Sequence, residues 1–236
     1  MHNFTMPQAI IDRVVRKRGR VHAFERFDAA RTALVVIDLQ NAFMQAGVAH
    51  TLCEMAPKIV PNVNRLANAL RAAGGTVAWV RTTATPQTLQ DWSVYYDLLT
   101  PQARQRRLEA LKDGSPGHAF WPELDIERQD LIVTKLRYSA FIQGSSDLEA
   151  QLRARGLDTV LITGCVTNTC CESTARDAMM RNFRTVMVSD GNAAGNDHEH
   201  AHSLIAFYLN FGDVQTTDEI IACLGQERGR AAAVSG

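Results

Sequence analysis

The sequence predicts a three-layer α/β/α domain built on a mostly parallel, six-stranded, Rossmann-like sheet. Three observations lead there. Short apolar runs alternate with longer segments of helical periodicity, several of the runs are apolar and β-branched on both faces, and 236 residues suffice for one well-buried core. Such alternation is the pattern of parallel strands joined by helical crossovers.

The expected strands are, in order, Ala33 to Asp38 (ALVVID), Thr76 to Val80 (TVAWV), Leu131 to Thr134 (LIVT), Thr159 to Thr163 (TVLIT), Thr185 to Ser189 (TVMVS) and a short Val214 to Thr216. Helical periodicity covers 58–73, 101–112, 145–155, 168–182 and 197–211. Gly74-Gly75 and Gly156 follow two of these helices, where glycine supplies the left-handed residue that ends a helix. Residues 82–130 break the pattern and hold Trp92, Tyr95, Tyr96, the run QARQRR and GSPGHAFWP; long connections in α/β domains often cover the site. The expected division is an N-terminal arm (1–29), one domain (30–224) and a small-residue C-terminal tail (225–236).

Composition bounds the function. Hydrophobic residues make up 46% and charged residues 21%, with 25 basic against 25 acidic side chains, so neither nucleic acid nor a membrane surface is an expected partner. The basic cluster RVVRKRGR (13–20) is the local exception and reads as a solvated arm. No apolar run reaches the roughly 18 residues of a membrane span and the N-terminus lacks a signal-peptide core, so a cytoplasmic location is expected. Cys53, Cys165, Cys170, Cys171 and Cys223 form an odd set without CxxC spacing, which argues against a disulfide framework or a zinc ribbon. No GxGxxG or phosphate loop is present, so no nucleotide cofactor is expected.

In an open parallel sheet, ligands bind at the carboxyl ends of the strands. The polar residues there are Asp38, Lys135, the segment GCVTNTCC and Asp190. Thr169 and Glu172 have capping-box spacing, which makes Cys170 the first helical residue and favours its thiolate; Asn168 is a competing cap that keeps Cys170 in the same turn. Cys171 shares a helical face with Ala175, Ala178 and Met179 and reads as core, whereas Cys170 lies nearer Ser173, Thr174 and Asp177, a more polar face, and reads as the thiol exposed at the strand tips. Cys170 by itself also reads as a small buried hydrophobe, and Asp38 with Lys135 as a structural ion pair. Together the three groups suit a nucleophile beside a base, with Asp38 taking the thiol proton, Lys135 holding the charges, and amides at the helix start receiving an oxyanion.

The blocks ALVVIDLQNAF, KLRYSAF, TGCVTNTCCESTARDA and VSDGNAA, in this order, resemble the isochorismatase-like cysteine hydrolases, a family that includes nicotinamidases, N-carbamoylsarcosine amidases and ureidoacrylate amidohydrolases. The likeness spans about residues 30–224. It implies the isochorismatase-like hydrolase fold, a triad of Asp38, Lys135 and Cys170, a cis peptide between Cys165 and Val166, and an oxyanion hole from the amides of Val166 and Cys170. It also implies a homodimer or homotetramer whose neighbour closes the site. Isochorismate-cleaving members act on a vinyl ether and generally lack the cysteine, so Cys170 points to an amide, carbamoyl or ureido substrate. Nicotinamidases carry an Asp-x-His metal motif after the first block; the matching region here has only His50, so no metal and no cofactor is expected. KLRYSAF is similar to the block of ureidoacrylate amidohydrolases, which makes Arg137 and Tyr138 candidate substrate contacts.

The resulting expectation is a cysteine-dependent amidohydrolase that cleaves a C–N bond through a thioester and releases ammonia or an amine. Two other readings stay open: hydrolysis of an isochorismate-like vinyl ether with Asp38 as acid, and a non-catalytic thiol redox or ligand-binding module using Cys170 and Cys171. Phe43, Trp92, His118, Tyr138 and Phe141 are further candidates for the pocket lining, though residues of these types more often serve core or lid packing. The triplet His198, His200 and His202 resembles a metal motif but reads as a solvated helix face, since only His198 and His202 share a side.

Overall fold

The computed structural model describes residues 1–224; the predicted tail, 225–236, lies outside the described residues. In chain order the elements are α1 (Gln8–Arg18), β1 (Thr32–Ile37), α2 (Asn41–Met44), α3 (Ala56–Ala72), β2 (Thr76–Thr82), α4 (Thr88–Asp91), α5 (Ser93–Asp97), α6 (Pro101–Ala110), β3 (Leu131–Lys135), α7 (Leu148–Ala154), β4 (Thr159–Cys165), a π-helical turn (Thr167–Cys171), α8 (Glu172–Met180), β5 (Arg184–Ala193), α9 (Asp197–Asn210) and β6 (Asp213–Gln215). Residues 217–224 are again helical. The strands form one sheet in the order β3-β2-β1-β4-β5-β6, and all five pairings are parallel. This is the doubly wound arrangement, in which the strand order reverses between β1 and β4 and opens a crevice at their carboxyl ends.

Burial explains why the apolar runs become strands. All six residues of β1 are buried, and alternate ones feed two hydrophobic clusters, one on each face of the sheet. Leu34 and Val36 pack with α3 and Trp79, whereas Ala33, Val35 and Ile37 pack with the side that holds Cys171, Ala175 and Leu204. A strand covered twice gains about 1.5–3 kcal/mol for each fully buried large side chain, which offsets the ordering of its backbone. The edge strand β3 departs from this pattern: Ile132 is 46% exposed and the strand alternates buried with exposed residues, so one of its faces is uncovered.

The first thirty residues are not a solvated arm. α1 packs on α9 and buries Val14, the His2 ring stacks on His200 at 4.3 Å, and His2 Nδ1 lies 2.6 Å from Asp197. The charges of RVVRKRGR stay largely outside, but Arg18 lies over the Tyr208 ring at 4.6 Å and within 3.4 Å of the buried Asp213. The cluster is therefore the wet face of a docked amphipathic helix. Segment 82–130 is also less irregular than its sequence, because α4 and α5 precede the expected α6 as two short helices. Its end is pinned by Asp130, which accepts from Arg71 Nη2 at 2.6 Å and from the buried Trp79 indole at 2.7 Å.

Candidate active site

Asp38, the first residue beyond β1, has φ 56°, a left-handed conformation that costs a non-glycine residue about 1–3 kcal/mol. Its backbone is held on both sides: its amide donates to the Val80 carbonyl (2.8 Å), and its carbonyl accepts from the Gln40 amide (2.8 Å) and the Cys165 thiol (3.1 Å). The end of β4 comes unusually near. Gly164 has φ 122°, and a Cβ there would lie 2.0 Å from the Ile37 carbonyl oxygen, so only glycine lets the segment bearing Cys170 close on Asp38. The Cys165–Val166 peptide is cis, as the family resemblance implied.

These elements place three reactive groups together. The Lys135 ammonium is 2.8 Å from Asp38 Oδ2, 2.6 Å from the Thr82 hydroxyl, 3.0 Å from the Arg137 carbonyl and 3.6 Å from Cys170 Sγ. The Thr82 hydroxyl in turn donates a hydrogen bond to Asp38 Oδ1 at 2.8 Å. Both charges of the Asp38–Lys135 pair are 0% exposed. A buried pair persists only where further hydrogen bonds complete it, and Thr82 with the Arg137 carbonyl supplies them. Asp38 Oδ2 meets the ammonium as an ion contact, off the line of a hydrogen bond, so that oxygen keeps a lone pair free. The charge of Asp38 acts on the Cys170 thiol as well.

Electrostatics correct one expectation. Burial pushes the Cys170 thiol up to about 12, Lys135 pulls it back in part, and Asp38 raises it again. The helix start does not win, because the thiol is only 7% exposed and faces a carboxylate. Burial works against the Lys135 ammonium too, yet Asp38 and Cys170 outweigh it and hold its pKa above the usual lysine value. At rest the Lys135 ammonium is therefore charged and the Cys170 thiol neutral.

The local helix start also differs from the expected capping box. Residues 167–171 form a π turn without a side-chain cap, with Cys170 inside it rather than at its first position. The Val166 carbonyl accepts from the amides of Thr169 (3.1 Å) and Cys171 (3.3 Å), which flank that of Cys170. Glu172 turns away to Arg176 and to the Ser203 hydroxyl at 2.7 Å. Cys171 is fully buried with Ala175 and Ala178, as its helical face predicted, and its sulfur points to the Thr163 carbonyl.

The thiol opens into a pocket of about 140 Å³ lined by Phe43, His50, Thr51, Thr82, Tyr95, Arg107, Tyr138, Val166 and Thr169. At ~30 Å³ per water this is room for roughly five water molecules, so it suits a small substrate. Of the candidate contacts, Phe43 and Tyr138 line it. Trp92 packs behind it, edge-on to Tyr138 at 4.9 Å. Arg137 turns outward to the Asp91 carbonyl (2.8 Å), and only its backbone reaches Lys135. His118 is buried elsewhere, 2.6 Å from the Thr83 hydroxyl, and its carbonyl holds Gln40. Asp190 does not reach the crevice either: it binds Thr217 and Asn62.

Thr82, Gln40 and Arg107 are not among the residues expected from sequence, and His50 stands out there only as the lone histidine of its region. Thr82 is a strand-end residue like Asp38 and becomes visible once the second strand is read two residues further. Gln40 is fully buried and clamps Thr82 through its amide (2.8 Å) and its carbonyl (3.1 Å). Arg107 sits in QARQRR, within the segment that breaks the strand–helix pattern. Among the described residues no three His, Cys, Asp or Glu side chains group to hold a metal ion. Of the histidine triplet, His198 and His202 are exposed but His200 is fully buried, its Nδ1 2.9 Å from the Thr167 hydroxyl, so the helix face is not uniformly solvated.

Sheet order and the thiol-bearing crevice define the class: a doubly wound α/β fold with a crevice at the switch point between β1 and β4. The Isochorismatase domain matches residues 32–219, and the chain belongs to the isochorismatase family of hydrolases. It is 30% identical over 217 residues to the ureidoacrylate amidohydrolase RutB of Methylorubrum extorquens, covering 86% of this chain and 87% of that one. Among solved structures it is similar to a cysteine hydrolase from Pseudomonas syringae pv. phaseolicola (TM-score 0.73, 29% identity, 85% and 95% of the two chains). It is also similar to N-carbamoylsarcosine amidase from Thermoplasma acidophilum (TM-score 0.65, 28% identity, 80% and 98%). Among the described residues no helix is long and apolar enough to cross a membrane.

Proposed function

We propose that the protein hydrolyses a C–N bond of a small amide, carbamoyl or ureido compound, with Cys170 as nucleophile, Asp38 as general acid and base, and Lys135 as the cation that holds both. The observation that carries this reading is the contact of a buried carboxylate, a buried ammonium and a thiol at the floor of a pocket, with Lys135 2.8 Å from Asp38 and 3.6 Å from Cys170. The similarity to a ureidoacrylate amidohydrolase and an N-carbamoylsarcosine amidase supports the substrate class.

In this mechanism the thiol is neutral at rest, in keeping with a pKa near 12, so attack requires a base in contact with it. Asp38 takes the proton as sulfur adds to the substrate carbonyl, and the oxyanion is received by the amides of Val166 and Cys170. Asp38 then gives the proton to the departing nitrogen, leaving a thioester and free ammonia or amine. Water enters, Asp38 takes its proton, and collapse of the second tetrahedral intermediate releases the acid and restores the thiol. Lys135 pairs with Asp38 at the start and offsets negative charge as it moves between carboxylate and sulfur. A raised thiol pKa suits this base-assisted route and not a redox thiol, whose reactivity depends on thiolate at neutral pH. Vinyl ether hydrolysis, the reaction the family is named for, is the second reading and forms no adduct on sulfur.

The test is ammonia release over a panel of ureido acids, carbamoyl amino acids and simple amides, with wild type, Cys170→Ala and Cys171→Ala. Turnover in the wild type and in Cys171→Ala, with none in Cys170→Ala, is expected. Equal loss in both variants, or no loss in Cys170→Ala, sinks the assignment.

A further inference from the structure

Arg107 lines the same pocket as Cys170 and is only 5% exposed. Among the described residues no carboxylate pairs with it. Its Nη1 lies 3.3 Å from His50 Nε2, its guanidinium lies 4.7 Å from the centre of the Tyr95 ring, and its Nε is buried without a hydrogen-bond partner. The imidazole cannot neutralise the cation. Burial, then Arg107 and Arg106, hold the His50 pKa down to about 3, so the ring is neutral and accepts through Nε2 while Nδ1–H faces the Thr51 hydroxyl at 3.0 Å. Nor does the ring face of Tyr95 supply a counter-ion; a cation–π contact is weaker than the cost of burying an ion.

A buried cation with no anion beside it is expensive, and pockets that keep one do so for a charged ligand group. The other cation of the site is no substitute, because Lys135 is already paired with Asp38. We propose that Arg107 binds a carboxylate on the substrate, so that the enzyme acts on small ureido or carbamoyl acids in preference to neutral amides. The inference rests on the C–N hydrolysis reading of the same pocket. In a cavity of about 140 Å³, a carboxylate on Arg107 under α6 leaves room for only a short linker before the carbonyl above Cys170. His50 positions the guanidinium by accepting one N–H, and the planar fork keeps donors for two carboxylate oxygens.

The experiment compares 3-ureidopropionate, 3-ureidoacrylate and N-carbamoylglycine with their methyl esters, on wild type, Arg107→Lys and Arg107→Gln. Hydrolysis is read as kcat and KM. Binding to the corresponding proteins carrying Cys170→Ala is read by calorimetry. The expected result is a wild-type preference for acid over ester of about 100-fold in kcat/KM, falling below about 10-fold in Arg107→Gln mainly through KM, with Arg107→Lys between them. Thermal melting checks folding; Arg107→Gln removes an uncompensated charge and should melt no lower than wild type. Turnover with equal preference for acid and ester, or an equal loss on both in Arg107→Gln, overturns the carboxylate assignment and leaves the hydrolase reading standing. Acid-selective, Arg107-dependent binding without any hydrolysis keeps the assignment and overturns that reading. No acid-selective binding by the Cys170→Ala protein overturns the assignment whatever the kinetics.

Discussion

At the floor of the pocket Lys135 is fully buried and meets Asp38, Thr82, the Arg137 carbonyl and Cys170, whereas under the roof Arg107 is almost as deeply buried and meets a neutral imidazole and a tyrosine ring. The floor cation is compensated within the chain, so its surroundings stay fixed whether or not substrate is present. The roof cation is compensated only when something else brings the charge. The same physics, the cost of a desolvated ion, thus separates machinery that is internally complete from a contact that waits for a ligand.

The largest effect that could break this comparison is on the floor. Cys170→Ala should lower turnover by about 10⁴-fold or more, while Cys171→Ala, which changes only a buried neighbour, should cost less than about tenfold, measured as steady-state product release. Next comes the ion pair. Lys135→Met leaves Asp38 buried and unpaired and should lower unfolding stability by about 3–5 kcal/mol in denaturant titration, and adding Asp38→Asn should recover most of it. Asp38→Asn alone separates base from scaffold. Asp38 raises the thiol pKa, so its loss should speed alkylation of Cys170 by iodoacetamide at pH 8 even as turnover disappears. In the wild type, a pKa near 12 rather than the ordinary 9 makes that alkylation about a thousandfold slower than for a free thiol, with the rate still climbing past pH 10.

A smaller effect comes from behind the turn that carries Cys170. Burial first, then His2, lowers the His200 pKa to about 4, so the folded ring refuses a proton that the unfolded chain accepts below about 6.5. Stability from this group is complete above pH 6.5 and is lost as pH falls toward 4, by about 2 kcal/mol at pH 5. Urea midpoints at pH 7 and pH 5 should show the drop, and His200→Gln should flatten it. The smallest effect is expected at Arg137. Its side chain faces away from the pocket, so Arg137→Ala should change kcat/KM by less than about threefold, in sharp contrast to Arg107→Gln.

The contrast between floor and roof also marks what the sequence makes legible. Asp38 and Lys135 are charges that end apolar strands, and a charge there has no cheap place to go except a shared crevice, so topology alone brings them to Cys170. The alternation of strands and helices gave the sheet for the same reason, since each run is decided by burial of its neighbours. Arg107 lacks any such mark. It is the last of three arginines in QARQRR on a helix with weak amphipathy, and its burial depends on how the 82–130 segment folds over the pocket, a long-range outcome that no local period encodes. His118 and Trp92 failed as pocket contacts for the mirror reason: their chemistry suits a site, but their loops carry them behind it. The thiolate expected of Cys170 failed because a helix-start argument weighs the backbone and omits the surrounding protein, which here buries the sulfur against a carboxylate.

The proposed mechanism depends most on sulfur forming a bond to substrate. Rapid-quench intact-mass analysis of the wild-type protein during hydrolysis of a ureido acid should show a transient mass increase equal to the acyl group, located on the peptide that carries Cys170 and absent from Cys170→Ala. Full turnover without any adduct on Cys170, or an adduct on another residue that forms as fast as product, would contradict it.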